Sequence, residues 1–115
     1  MTLVRELVKR LETKDYRAAK SLVNEGGTEP LAEGWPRLPL FERLVIFKLL
    51  SPERAWELFE CLDFEARYTL FTAFDLGSIA PILEPLSEED RSLFHVLPEA
   101  DYARMSESLR PSEVR

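Results

Sequence analysis

Between Leu50 and Pro85 the chain divides into three pieces of twelve residues, LSPERAWELFEC, LDFEARYTLFTA and FDLGSIAPILEP. Each piece opens on a large apolar residue, and Ser or Asp follows within two positions. The phase extends in both directions. Its opening positions are Leu38, Leu50, Leu62, Phe74, Leu86, then Leu97 after an eleven-residue unit, then Leu109. A unit of this length holds one helix of about eight to ten residues and a very short turn. Helices that short are marginal in water on their own. They must lean on neighbours, so the repeat predicts a superhelical array of stacked short helices.

Start signals recur in phase with the openings. Ser51-Pro52-Glu53-Arg54 is the clearest. Serine is a favoured N-cap, proline fits the first helical position because its missing N–H has no helical partner there, and an acid suits the positive helix end. Ser87-Glu88-Glu89-Asp90 follows the same logic with a capping-box pattern. Asp63 and Asp101 offer similar starts. Apolar residues then recur at helical spacing: Ala55, Leu58, Phe59 and Leu62 make one stripe, and Tyr68, Leu70, Phe71 and Phe74 another.

The unit opened by Phe74 contains Gly77 and Pro81. With Ser78 as its N-cap, Pro81 falls in the first turn, where it costs little. Gly77 then belongs to the connection and Pro85 ends the helix early, which predicts the shortest and least regular helix of the set. Ahead of the array, LVRELVKRLE and DYRAAKSLV read as amphipathic helices over 2–12 and 15–24. Gly26-Gly27 breaks the chain, Thr28 caps a short helix with Pro30 in its first turn, and Pro36 and Pro39 hold the next connection. No strand signal occurs. The fold class is all-α, a single domain over 1–115 with leading helices in 1–25 and the repeat array in 38–109. The chain stops inside what resembles another unit, Leu109-Arg110-Pro111-Ser112-Glu113. That reads as excision from a longer chain, with a natural, fraying end as the alternative.

Charge is unevenly placed. Residues 1–24 carry six basic side chains against three acidic, and residues 50–99 carry three against eleven, within a net charge of −6. An acidic second half argues against nucleic acid, which needs clustered Lys and Arg. It suits a cation or a basic protein surface, or is a set of solvated helix faces. No apolar run reaches the roughly 18–20 residues of a membrane span. The charged start is not a secretory signal. One cysteine, Cys61, permits no internal disulfide, and a cytoplasmic chain is the simplest reading.

Catalytic chemistry has no carriers. His95 stands alone beside Phe94 near a helix end and reads as structural. Cys61 reads as packed on its helix and has no partner for zinc. No phosphate loop or nucleophile motif occurs. The carboxylates remain. Glu88, Glu89 and Asp90 are consecutive at a helix start, and hard cations such as magnesium take oxygen ligands while keeping several waters.

LSPERAWELFECLDFEARYTLF and LSEEDRSLFHVLP, with EPLAEGW and FERLVIFKLL before them, resemble the cytosolic N-terminal domain of MgtE-type magnesium transporters. The resemblance spans nearly the whole chain and rests on register. Gly26-Gly27-Thr28-Glu29 stands where that family often has a His-Pro-x-Asp segment. The resemblance implies a right-handed superhelical bundle. It implies a regulatory domain that closes on CBS domains when magnesium bridges acidic surfaces, shutting the transmembrane pore of the same polypeptide. Glu89 falls at the place of the family's bridging acid, with Asp90 its neighbour, so the implied metal residues are Glu89 and Asp90 and the implied cofactor is a weakly held Mg²⁺ at a domain interface. The alternative is a protein-interaction module like the helical regions of the flagellar motor switch protein FliG, which docks a protein partner and senses no metal. Its candidate apolar strip is Leu76, Ile79, Ile82 and Phe94. Neither reading involves nucleic acid or insertion into a membrane.

Overall fold

The computed structural model describes residues 3–95 and 99–109. Leu97 and 110–115, where the repeat places two further unit features, lie outside the described residues. Helices α1 (Leu3–Glu12) and α2 (Tyr16–Glu25) form the leading pair, and α3 (Thr28–Gly34) runs into a single 3₁₀ turn at Trp35–Arg37. Then come α4 (Leu40–Leu49), α5 (Pro52–Cys61), α6 (Phe64–Asp75), α7 (Ala80–Leu83), α8 (Glu88–Arg91) and α9 (Glu99–Ser108). Among the described residues all regular structure is helical.

Helices two apart in sequence pack together: α1 on α3, α3 on α5, α2 on α4, and α4 on α6, while α9 returns onto α6. The core runs along these contacts, and Leu7, Leu31, Trp35, Leu44, Phe47 and Phe59 are among its fully buried side chains. The close approach of α1 to α3 needs Gly34, because a side chain there would run into Val4.

The junctions explain the opening residues. Leu38, Leu50 and Leu62 each hold an extended backbone between two helices, with ψ of 138°, 148° and 150°. Each side chain is buried. The next residue caps the following helix. Ser51 Oγ accepts from the Arg54 amide at 3.4 Å and Asp63 Oδ1 from the Ala66 amide at 2.8 Å. An extended residue ends one ladder and turns the chain within a single step, so a cap must begin the next. Two arginines brace these junctions. Arg43 Nε donates to the Leu38 carbonyl at 2.9 Å and its Nη2 to Pro36 at 3.2 Å. Arg67, at the same offset from Leu62, donates to the carbonyls of Leu62, Phe59 and Glu60 at 2.9–3.0 Å.

Elsewhere the local chemistry differs from the sequence expectation. Thr28 does not cap α3: Gly27 holds the N-cap position, and the Thr28 hydroxyl donates to Glu57 Oε1 at 3.2 Å. The N-cap of α7 is Ile79 rather than Ser78, because the turn is wound one residue further, with Gly77 at φ +70° and the Ser78 amide returned to the Ala73 carbonyl. Pro81 still falls in the first turn, and α7 is four residues long, a brevity shared by α8. The helix expected to start at Asp101 begins at Glu99. Tyr68 is 55 % exposed, on the outer face of α6 stacked on Phe64. Cys61 is exposed rather than packed, since the inward stripe of α5 is Ala55, Leu58 and Phe59. The α1–α2 turn closes with Lys14 in the left-handed region, φ 62°. The Asp15 amide reaches back to Arg10 and the Lys14 amide to Leu11, a Schellman ending.

Candidate functional site

The acidic turn is α8. Ser87 Oγ accepts from the Asp90 amide at 3.1 Å, which fixes the turn. Ser92 Oγ donates to the Glu89 carbonyl at 2.6 Å at its other end. Glu88 and Glu89 are exposed, and the Glu89 side chain is 81 % exposed. Glu89 faces Arg17 of α2 across 3.7 Å. Asp90 is half-buried near the start of α2: burial first, and then the Asp90 charge, push the Tyr16 hydroxyl pKa up. Both acids therefore lie beside α2, Glu89 exposed and Asp90 half-buried. Among the described residues no three His, Cys, Asp or Glu side chains converge on one point. Carboxylate oxygens are the hard donors that magnesium accepts while retaining most of its water, so the chemistry of Glu89 and Asp90 fits that ion.

The segment behind α8 is strapped to the body. Tyr16 meets Phe94 edge-on at 5.5 Å. Lys20 donates to the Leu93 carbonyl, and the His95 amide donates to the Lys48 carbonyl at 2.9 Å. His95 Nδ1 is also 2.9 Å from that oxygen, so Nδ1 carries the hydrogen. Nε2 is buried and makes no hydrogen bond of good geometry among the described residues. This histidine is a brace, as its sequence context suggests. A cleft of about 730 Å³ lies beside the strap, between α2 and the start of α5, walled by Lys20, Asn24, Ser51, Arg54 and His95.

The strap carries a pH prediction. Burial, with the nearby Lys48 and Lys20 charges, holds the His95 pKa below its ordinary 6.5. The unfolded chain takes up that proton near pH 6.5 and the folded chain only at lower pH. Stability is therefore whole above pH 6.5 and is lost as pH falls toward the folded pKa. Glu42 acts oppositely: burial and Glu12 raise its pKa above 4.5, so its contribution grows as pH falls toward 4.5. Melting curves between pH 7.5 and about pH 5 are expected to show a shallower loss in His95→Asn than in the parent. Equal slopes would mean that His95 does not carry the acid sensitivity.

Comparison with known families decides what this framework is. The MgtE intracellular N domain matches residues 28–115. This chain belongs to that family. No curated protein and no solved structure matches it. The match covers α3 to α9 and includes the acidic turn, while α1 and α2 lie before it. The MgtE intracellular N domain belongs to a magnesium-transport context. No described helix of this member is long and apolar enough to cross a membrane.

Of the residues that the sequence singled out, Glu89 and Asp90 are neighbours on α8, and His95 lies on the same segment. The proposed apolar strip is not one. Ile79 and Phe94 are core residues, Ile82 packs partly against the core, and Leu76 alone is open, at 75 % exposure. The Arg17 contact with Glu89 was not signalled, because it joins residues far apart in the chain.

Proposed function

We propose that this chain is the cytosolic regulatory domain of a magnesium transporter, sensing the ion through α8 and closing on CBS domains of the same polypeptide to shut the pore. The match to the MgtE intracellular N domain carries the reading. The exposed Glu89 carboxylate on a capped turn supports it. The domain is an array of stacked short helices with a superhelical twist, which the packing of helices two apart supports. The leading pair belongs to the same domain over 1–115, since α1 packs on α3 and α2 on α4. Magnesium is held weakly by Glu89 and Asp90, with the remaining ligands supplied by water and the partner surface.

The experiment is magnesium-dependent protease protection of the full-length protein that carries this domain. The double variant Glu89→Ala with Asp90→Ala is expected to raise the midpoint by about tenfold or more. An unchanged midpoint removes the site from α8. Protection that never depends on magnesium favours the interaction-module reading, for which the exposed Phe41, Phe64 and Leu76 are the surface evidence.

A further inference from the structure

Arg17 stands at the second position of α2, two residues after the N-cap Asp15. A helix start carries partial positive charge, so a cation in the first turn is unfavourable for the helix itself and an acid is the favoured occupant. The first turn of α2 holds no acid. What compensates Arg17 lies on α8. Its Nη2 is 3.7 Å from Glu89 Oε2, and the two side chains are 68 % and 81 % exposed.

The neighbours of this pair fix where it forms. Lys20, one turn on from Arg17, donates to the Leu93 carbonyl, and Tyr16 meets Phe94 edge-on. Leu93 and Phe94 follow α8 directly and are buried. The start of α2 thus holds α8 in place and leaves the ion pair itself at the surface. The turn carries Glu88, Glu89 and Asp90 against its own Arg91. Arg17 is a further cation, brought there by the fold and not by the local sequence. It lies ahead of residues 28–115, which the MgtE intracellular N domain matches. A guanidinium keeps its charge at every working pH. A divalent cation that takes Glu89 must therefore displace Arg17 or sit against its charge, and an exposed pair is weak enough to be displaced.

Resting on the reading of α8 as a magnesium-sensing turn, we propose that Arg17 is the resident counter-ion of Glu89, that magnesium displaces it, and that it sets the magnesium concentration at which α8 responds. The direction follows from charge. Arg17 stabilises the carboxylate without metal more than the carboxylate with metal, so the response comes at higher magnesium with Arg17 than without it. The effect is a screened surface one and shrinks as monovalent salt rises.

The test is a magnesium titration of the full-length protein that carries this domain, followed by protease protection, with melting curves taken without the ion. Arg17→Gln is expected to lower the midpoint about two- to fivefold and to leave the melting temperature unchanged. Arg17→Lys keeps the charge and is expected to stay near the parent. Damage to the fold would raise the midpoint, so a lowered one reports the charge. Glu89→Gln is expected to raise the midpoint, and in that background Arg17→Gln is expected to lose most of its effect. An Arg17→Gln midpoint that is unchanged or raised, with Glu89→Gln shifted as expected, overturns the counter-ion and leaves the reading of α8 intact. An undiminished effect of Arg17→Gln in the Glu89→Gln background overturns the pairing and assigns Arg17 to the general charge of the surface. An unchanged midpoint in Glu89→Gln removes that carboxylate as a ligand, and the counter-ion role falls with it.

Discussion

Phe59→Ala is expected to lower the unfolding free energy by about 3–5 kcal/mol, and the melting temperature by roughly 12–20 °C. Phe59 is fully buried at the meeting of α5 and α6. Its loss removes the transfer free energy of the ring and leaves a cavity that helices braced on both sides cannot fill. It also removes the middle of the stack, so Trp56 loses its neighbour and Arg67 its ring. The Arg67 hydrogen bonds to the α5 carbonyls are main-chain contacts and survive in geometry, but the guanidinium is then held by those bonds alone. Phe59→Leu keeps most of the volume and is expected to cost less than half as much. Urea unfolding followed by circular dichroism measures both. A loss below about 1.5 kcal/mol for the alanine variant would mean that the α5–α6 contact relaxes, and that the stack is not what fixes these helices.

The elements most legible in the sequence are those set by local chemistry. Ser51-Pro52 and Asp63 cap α5 and α6 as their residue types predict, since a cap needs only its own turn. The buried openings Leu38, Leu50 and Leu62 were visible from spacing, but their role was not. Their extended backbone, which stops one helix and starts the next, is a property of the junction rather than of leucine. Thr28 and Ser78 failed as caps for the complementary reason. The Thr28 hydroxyl oxygen accepts from Arg54, 26 residues away, and its proton goes to Glu57. The Gly77 turn shifts the helix start by one residue, and single-residue displacements are beyond a reading by residue type. Arg43 and Arg67 had a signal that could have been read: they stand 24 residues apart, each five beyond an opening leucine, and Arg91 continues the series. At the candidate site, the sequence located the acids and the structure added their surroundings. Asp90 is half-buried near Tyr16 and Glu89 is exposed opposite Arg17, so the two are not equivalent carboxylates.

Asn24→Ala is expected to cost about 2–4 kcal/mol, a large effect for one polar side chain on α2. The junction at Leu50 interrupts the helical ladder. It leaves the Leu49 carbonyl without an intrahelical donor and the Ser51 amide without an intrahelical acceptor. In a capping box a Glu or Gln three residues after the cap would take that amide. Here the position is Arg54, which can only donate. Asn24 supplies what is missing from another helix. Its Oδ1 accepts from the Ser51 amide at 2.8 Å, and its Nδ2 donates to the Leu49 carbonyl at 3.0 Å and to Lys20 at 2.9 Å. Arg54 completes the circuit by donating through Nη2 to the Asn24 carbonyl at 2.8 Å. One amide group thus joins α2 to the end of α4 and the start of α5. Asn24→Asp separates the two halves of its work: it keeps the acceptor for Ser51 but sets a carboxylate oxygen against the Leu49 carbonyl, and it is expected to destabilise while still protecting the Ser51 amide. Urea unfolding gives the energies, and hydrogen exchange at Ser51 gives the mechanism. Exchange in Asn24→Ala is expected to rise by ten- to a hundredfold or more. A loss under about 1 kcal/mol with unchanged exchange would mean that water from the adjoining cleft replaces the side chain, and that α2 is held at this junction by its apolar face alone.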